Sequence, residues 1–392
     1  MSQETHRALN FGAGPSPLPL SVLLKAQANL LNYEGTGMSV MELSHRSKPF
    51  IQLMNHLKST FRELLAIPDT HDILLMQGGG TGQFSAVALN LLASRAPRRT
   101  AYYAVTGSWS KKAAAEARAL GVKVVEAVDG AKDHLGGEYT EIPEPDRWVL
   151  PKDAEEAERE VAYVYYCGNE TIHGVEYSLV DTIPDLSAHL PPSVPLVADL
   201  SSNILTRKID WERHAVVYAG AQKNIGISGV TVVVVRRDLL EPRKSQEHIP
   251  LMLDWRVCAQ GESLYNTPPS FSCYMLSLVL DWAKEEMGGL EGLDQRATDK
   301  ASLLYQTIDQ SGGYYRCPVQ TKARSRMNVV FRLESEELEE SFLKASIKAG
   351  FEQLKGHRSA GGIRASLYNA VEPSAVETLV AFMQDFQASH PL

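Results

Sequence analysis

Two residues open the chemical argument, a lysine and an acid. Lys223 lies in residues 216–237, VVYAGAQKNIGISGVTVVVVRR. This stretch starts as a β-branched and aromatic run and passes through small residues to Gln222-Lys223-Asn224. It then turns at Gly226 and Gly229 and re-enters an apolar run over 230–235. A lysine at a turn between two buried strands is partly desolvated. Burial disfavours its charged form, and the neutral amine is a nucleophile for aldehydes. The plain alternative is a solvated turn lysine, because most lysines are exposed. Asp199 shifts the balance. It ends the apolar run in PLVADLSS (195–202), and Lys223 follows it by 24 residues, room for one connection and a further strand. Two strand ends of a parallel-type sheet then present an acid and a lysine to one cleft. A pyridoxal phosphate (PLP) site needs this pair. The lysine holds the aldehyde, and the acid pairs with the pyridinium nitrogen so that the ring stays an electron sink. A helix cap or strand-end turn is the other reading of Asp199.

The elements around this pair must position it. A strand over 71–77 runs into Gly78-Gly79-Gly80-Thr81-Gly82-Gln83 and then a helix over 84–92. Strand, glycine loop and helix offer backbone N–H groups and a helix N-terminus to a phosphate. No GxxxxGK[ST] loop is present there. A strand at 100–105 ends in Gly107-Ser108-Trp109-Ser110, and a helix follows over 111–120. Trp109 is placed either to stack on a flat ring or to fill the core. Another strand, 161–167, ends in Gly168-Asn169-Glu170-Thr171-Ile172-His173-Gly174. The alternation of strands and helices over 70–235 predicts a mixed, mostly parallel α/β sheet, with ligands bound outside the carboxyl ends of its strands.

The flanks are less regular. Residues 10–20, rich in Gly and Pro, read as an irregular arm, followed by a helix over 21–31 with Ser21 as N-cap. A glycine-rich loop over 33–46 ends in His45-Arg46, an arginine of the kind that binds carboxylate or phosphate at two points. Apolar residues at Phe50, Leu53, Met54, Leu57, Phe61 and Leu64 mark an amphipathic helix over 49–65. The stretch 129–148 is turn-rich and 241–249 is charged, while the charge run 153–160 reads as a solvated helix face with no chemistry. Beyond 237, helices over 271–287, 293–311 and 337–349 and strands over 328–333 and 362–366 suggest a smaller α+β domain. Within it, Arg358 and Arg364 flank the Gly361-Gly362 pair, an arrangement for two separate anion contacts.

Composition bounds the class. A chain of 392 residues with 44% hydrophobic and 22% charged residues is that of a globular enzyme with more than one core. A net charge of −8 without a basic block gives no support to nucleic-acid binding. The four cysteines, Cys167, Cys258, Cys273 and Cys317, show no zinc spacing and suit a reducing compartment. The first residues lack the apolar core of a signal peptide, and no apolar run approaches the about 20 residues of a membrane helix. These points favour a cytoplasmic location.

Ten motifs in order carry a resemblance: NFGAGP, SHRS, QGGGTGQF, GSWS, NETIHGV, ADLSS, AGAQKNIG, NTPPSF, GHRS and GGIRASLYNA. Together they resemble the phosphoserine aminotransferase family, class-V aminotransferases of PLP fold type I, in spelling closer to its eukaryotic branch. The resemblance implies a large PLP-binding α/β domain over 16–267, and a small α+β domain from 1–15 and 268–392. It implies transfer of the amino group of L-glutamate to 3-phosphohydroxypyruvate by a ping-pong mechanism, with 4-phosphohydroxythreonine as a further possible substrate. Lys223 would carry the cofactor and shuttle the proton. Asp199 would hold the pyridinium N–H, Trp109 would stack on the ring, and Thr171 would bond the phenolic O3′. Gly80, Thr81 and Gln222 would bind the cofactor phosphate, joined by Asn266 and Thr267 from the partner subunit of a homodimer. His45 and Arg46, also from across the interface, would meet the substrate phosphate together with His357 and Arg358. Arg364 would bind the α-carboxylate. Many bacterial members have Arg where Thr81 stands, so backbone N–H groups must do more here. No metal is implied. The rival readings are a serine–glyoxylate-type aminotransferase, a cysteine desulfurase and a non-catalytic scaffold.

Overall fold

The structure is a computed structural model, and it describes residues 7–131, 137–177, 190–242 and 248–391. The stretches 129–148 and 241–249 lie partly outside them. The strands are β1 (Leu9–Asn10), β2 (His71–Met76), β3 (Thr100–Val105), β4 (Lys123–Asp129), β5 (Val161–Cys167), β6 (Asn169–Glu170), β7 (Val175–Glu176), β8 (Leu196–Asp199), β9 (His214–Gly220), β10 (Thr231–Arg236), β11 (Asn328–Phe331), β12 (Phe351–Glu352) and β13 (Ile363–Ser366). The α-helices are α1 (Leu20–Ala28), α2 (Lys48–Leu64), α3 (Gly79–Arg95), α4 (Ser108–Ala119), α5 (Ala154–Glu160), α6 (Trp255–Gln260), α7 (Ser270–Glu285), α8 (Gly289–Asp309), α9 (Glu336–Lys348) and α10 (Pro373–Ser389).

Seven strands form the main sheet in the order β2-β10-β9-β8-β5-β3-β4. Only β10 runs antiparallel to its neighbours; the other adjacent pairs are parallel. Six strands therefore point the same way, and their carboxyl ends share one edge. The sheet is the mixed, mostly parallel one that the alternating pattern predicts. Its strands are β-branched and aromatic because both faces are covered. Successive residues alternate between two cores. Leu74, Val216, Tyr218 and Val233 face α3, α4 and α6, and Ile73, Val217, Ala219 and Val232 face α2 and α7.

A third core gathers Phe11, the later half of α8 from Ala301, α9, α10 and strands β11–β13. Helix α7 packs in the core of the main sheet, whereas α8 contributes Leu293 to that core and Leu304 to the third.

Several local expectations are corrected. Helix α1 begins at Leu20 with Pro19 at its cap, so Ser21 lies inside the helix, where its hydroxyl donates to Glu286 Oε2 at 2.8 Å. The glycine run after β2 is not a loop ahead of its helix. Gly78, at φ 96°, makes the left-handed turn, and α3 starts at Gly79. The amino-terminal arm is only partly irregular: Leu9 and Asn10 pair in parallel with Phe351 and Glu352. Gly361 and Gly362 form a turn that needs glycine at both positions. Both sit at positive φ, and a Cβ on Gly362 would stand 2.5 Å from Arg332 Cδ and 2.9 Å from the Phe331 carbonyl. Only glycine fits this turn without strain.

Candidate active site

The carboxyl edge of the main sheet collects the chemistry. β2 leads to the N-terminus of α3. The N–H groups of residues 79–81 have no intrahelical partner, and no side chain caps this end. Gly82 is the first to bond back, its N–H donating to the Gly78 carbonyl at 2.9 Å. Thr81 is exposed there and Gly80 half-buried. A Cβ on Gly80 would stand 3.6 Å from Asp199 Oδ2 and 3.8 Å from Ser201 Oγ. The bare helix end thus lies beside the acid that ends β8. Asp199 is buried, and its Oδ1 accepts from the Ser201 N–H at 2.9 Å.

β3 leads through Gly107 into α4, whose first turn holds Trp109. Glu170, fully buried on β6, accepts from the N–H groups of Trp109 and Ser110, each at 2.8 Å, and from the Ser110 hydroxyl at 2.6 Å. It caps α4 from another segment. Burial pushes the Glu170 carboxyl up, and these hydrogen bonds pull it back down. A Cβ on Gly107 would lie 2.3 Å from Glu170 Cδ, so the cap requires glycine there. The sequence reading assigned Glu170 no role. Its signal was a carboxylate in a run of polar residues after a strand, but its partner lies 60 residues away.

The indole Nε1 of Trp109 donates to Thr171 Oγ1 at 2.9 Å. The Thr171 hydroxyl accepts that bond and keeps its own proton to donate. Lys223 follows β9 in a half-buried turn, with Nζ 5.7 Å from the centroid of the Trp109 ring. The turn is tied from behind. Ser16 N–H donates to the Gln222 carbonyl at 2.9 Å, and Ser16 Oγ donates to the Lys223 carbonyl. Asn224 Nδ2 donates to the Ser202 carbonyl at 3.0 Å.

Arg364, on β13, faces this edge from the third core. Its Nη1 donates to the Thr171 carbonyl at 3.0 Å, while its Nε is buried without a partner. Burial lowers its pKa. It lines a cleft of about 360 Å³ together with Tyr139, His173, Arg332, Ser359 and Ala360. His357 borders the same region, with Nδ1 2.7 Å from Ser359 Oγ. Its pKa is lowered by burial and then by the charges of Arg364, Lys112 and Arg358. Arg358 is exposed.

The structure thus brings together Gly80, Asp199, Trp109, Thr171, Lys223 and Arg364. His45, Arg46, Asn266 and Thr267 form a second group. Thr267 Oγ1 lies 3.3 Å from His45 Nδ1, and Arg46, Asn266 and Thr267 are exposed. Among the described residues, no hydrogen bond or ion pair joins this group to the first.

His173 has a testable consequence. Burial and the nearby His357 push its pKa down to about 4, and its Nε2 sits 2.9 Å from Ser108 Oγ. The unfolded chain therefore binds a proton in a window where the folded chain does not. Stability is full above about pH 6.5 and falls as pH drops toward about 4, by at most about 1.4 kcal/mol per pH unit from this group. Urea denaturation across that window is expected to show a shallower loss for His173→Gln than for the parent.

These groups match what a PLP-type cofactor needs. An uncapped helix end suits a phosphate, a buried acid suits a ring N–H, a fixed indole suits a flat ring, and a lysine suits an aldehyde. The thiols do not offer a competing nucleophile. All four cysteines are unpaired, and burial raises the pKa of each. Among the described residues no cluster is arranged to hold a metal ion, and no helix is long and apolar enough to cross a membrane.

Comparison with known proteins agrees with this chemistry. The family model for class-V aminotransferases matches residues 8–379. Phosphoserine aminotransferase 2, chloroplastic, of Arabidopsis thaliana is 46% identical over 385 residues, 98% of this chain and 85% of that protein. The solved structure of phosphoserine aminotransferase from Bacillus circulans subsp. alkalophilus superposes with a TM-score of 0.88 at 44% identity, over 98% of this chain and 99% of that one. The PLP-bound phosphoserine aminotransferase of Trichomonas vaginalis gives a TM-score of 0.86 at 36% identity, over 96% and 100% of the two chains. The chain belongs to the class-V aminotransferases, PLP-dependent enzymes, and among them to the phosphoserine aminotransferases.

Proposed function

We propose that this chain moves the amino group of L-glutamate to 3-phosphohydroxypyruvate, giving 2-oxoglutarate and O-phospho-L-serine in two alternating half-reactions, a step of L-serine biosynthesis. The observation that carries the substrate class is Arg364, whose buried Nε has no partner at the mouth of a cleft near His357 and Arg358. A buried guanidinium N–H left without a partner is costly unless an anion arrives to meet it. 4-Phosphohydroxythreonine carries the same two kinds of anion and falls within this reading. A desulfurase is disfavoured by the buried or half-buried, pKa-raised thiols.

PLP, when bound, supplies the aldehyde that holds the amino group and the ring that withdraws electrons from substrate Cα. Lys223 Nζ would carry the proton from Cα to the former aldehyde carbon, C4′, in the first half-reaction and from C4′ to Cα in the second. Asp199 would hold the ring N–H and keep the ring electron-poor. Trp109, oriented by Glu170 and Thr171, would support the ring, and Thr171 has a proton to offer to its phenolic oxygen. The N–H groups of Gly80 and Thr81 and the Gln222 side chain would hold the cofactor phosphate. Arg364 binds the α-carboxylate. His357 and Arg358 bind the substrate phosphate, with Lys112 adding positive charge nearby.

A homodimer completes this reading. Among the described residues, His45, Arg46, Asn266 and Thr267 make no hydrogen bond or ion pair to Lys223 or its neighbours, and exposed Met38, Met41, Leu251, Met252 and Tyr265 lie near them in the chain. An apolar surface of this kind is covered by a second copy, which then lends those four residues to its neighbour's site. The two-domain division is also part of the reading. The large domain spans 16–267 and the small one 1–15 and 268–392, although α7, which falls within the bounds of the small domain, packs in the core of the main sheet. Four unpaired cysteines suit a cytoplasmic location; the plant relative named above is chloroplastic.

The test is a spectral titration of the purified protein. The visible band of the PLP form is expected to fade with L-glutamate and to return with 3-phosphohydroxypyruvate but not with hydroxypyruvate. A band that glutamate leaves unchanged overturns the amino donor. Return of the band with hydroxypyruvate at the same concentration overturns the need for phosphate.

A further inference from the structure

The edge that carries Lys223 and the strand that carries Arg364 belong to different cores, yet chemistry between them requires a fixed spacing. A buried polar frame spans the gap. Asn328, fully buried on β11, lies at its centre. Its Oδ1 accepts from Asn169 Nδ2 at 2.8 Å, and its Nδ2 donates to Ser366 Oγ at 2.9 Å and to Tyr368 Oη at 3.2 Å. Asn328 pairs with Ser366 and Val330 with Arg364 in the β11–β13 ladder, so Ser366 and Arg364 point to one face.

Two closed circuits result. In the first, Arg364 bonds the Thr171 carbonyl, the chain steps back from Thr171 to Asn169, Asn169 bonds Asn328, and Asn328 bonds Ser366, two residues from Arg364. In the second, Asn169 Nδ2 also donates to Ser202 Oγ at 2.8 Å, and the Ser202 carbonyl accepts from Asn224, next to Lys223. Asn224 Oδ1 then accepts from the Asn369 N–H at 3.0 Å, which leads back along the chain to Ser366. Lys300 clamps the returning segment: its buried ammonium donates to the carbonyls of Leu367, Tyr368 and Val371 at 2.8–2.9 Å. The side chains of Asn169, Ser202, Asn224, Asn328 and Ser366 all find partners in this frame, and a satisfied buried network specifies one geometry.

We propose that Asn328 is a positioning residue that holds the Arg364 guanidinium in register with Lys223, and so sets where the α-carboxylate of both substrates is placed. Asn328 touches neither substrate nor cofactor in this role. The proposal rests on Arg364 as the carboxylate contact, a reading of the previous subsection.

The experiment compares holoenzymes of the parent, Asn328→Ala, Ser366→Ala and Arg364→Ala in steady-state transamination. Asn328→Ala is expected to raise KM for L-glutamate and for 3-phosphohydroxypyruvate by a similar factor, about tenfold, since small misplacement of a binding group is costly. The preference for the phosphorylated over the unphosphorylated oxo acid and the visible cofactor band should stay as in the parent. Ser366→Ala, which removes one bond of the frame, should act in the same direction by a smaller factor. A lower unfolding midpoint with both KM values within twofold of the parent overturns the proposal, as does a rise for one substrate only. If Asn328→Ala does not yield folded holoenzyme, Ser366→Ala decides by the same criteria. If Arg364→Ala raises both KM values and neither frame variant does, this proposal alone fails. If Arg364→Ala raises neither, the reading of Arg364 fails and the proposal with it.

Discussion

Lys223→Ala is expected to lower turnover by about three orders of magnitude or more, with little change in the unfolding midpoint. The lysine stands where one amine is asked to do two jobs, holding the cofactor and moving the Cα proton. General acid–base work alone is worth about 10²–10⁴-fold. The fold should hold because the turn is secured by backbone and neighbours rather than by the amine. Ser16 bonds the carbonyls of Gln222 and Lys223, and Asn224 bonds Ser202 and Asn369. Lys223 Nζ itself makes only a distant approach to the Trp109 ring, at 5.7 Å. Initial rates with saturating cofactor, together with urea denaturation, separate the two effects. A purified variant that transaminates at the parent's rate would remove Lys223 from the chemistry.

Arg364→Ala should raise KM for both L-glutamate and 3-phosphohydroxypyruvate, by roughly 10–100-fold. A hydrogen bond to a charged partner is worth about 1.5–3 kcal/mol, and each 1.4 kcal/mol is tenfold. Both substrates carry an α-carboxylate, so the loss must be shared. Arg364→Lys should recover little, because an ammonium cannot reproduce the two-point fork of a guanidinium. Substrate-saturation kinetics with each partner varied in turn provide the measurement. A loss confined to the phosphorylated substrate would move Arg364 into the phosphate group with His357 and Arg358.

The parts of this site that depend on local pattern were legible in the chain. Asp199 and Lys223 each follow a buried apolar run, and both runs became neighbouring parallel strands, β8 and β9. Trp109 and Thr171 follow β3 and β5 in the same way. The relations that cross the chain were not legible. Periodicity carries no trace of the pairing of Leu9–Asn10 with Phe351–Glu352, two residues against two. Glu170 looked like one polar residue among several, because its function is to cap a helix 60 residues earlier. Asn328 sits in NVVF, which reads as an ordinary strand start, and only the assembled network gives it significance. The glycine run reads as a loop ahead of its helix, since glycine's low helix propensity hides that α3 already begins at Gly79.

The antiparallel strand β10 has a consequence for how the site comes apart. Lys223 sits at the tip between β9 and β10, and both legs lie inside the main sheet, with β10 laddered to β2 over six residues and to β9 over five. Neither leg is an edge. Fraying of the sheet's edges does not reach the strands that flank the lysine. Arg364 rests on a two-stranded ladder of four residue pairs. Hydrogen–deuterium exchange at the backbone should therefore be slowest beneath the lysine and faster beneath the arginine. Sub-global opening separates the carboxylate anchor from the proton carrier while the latter stays in place.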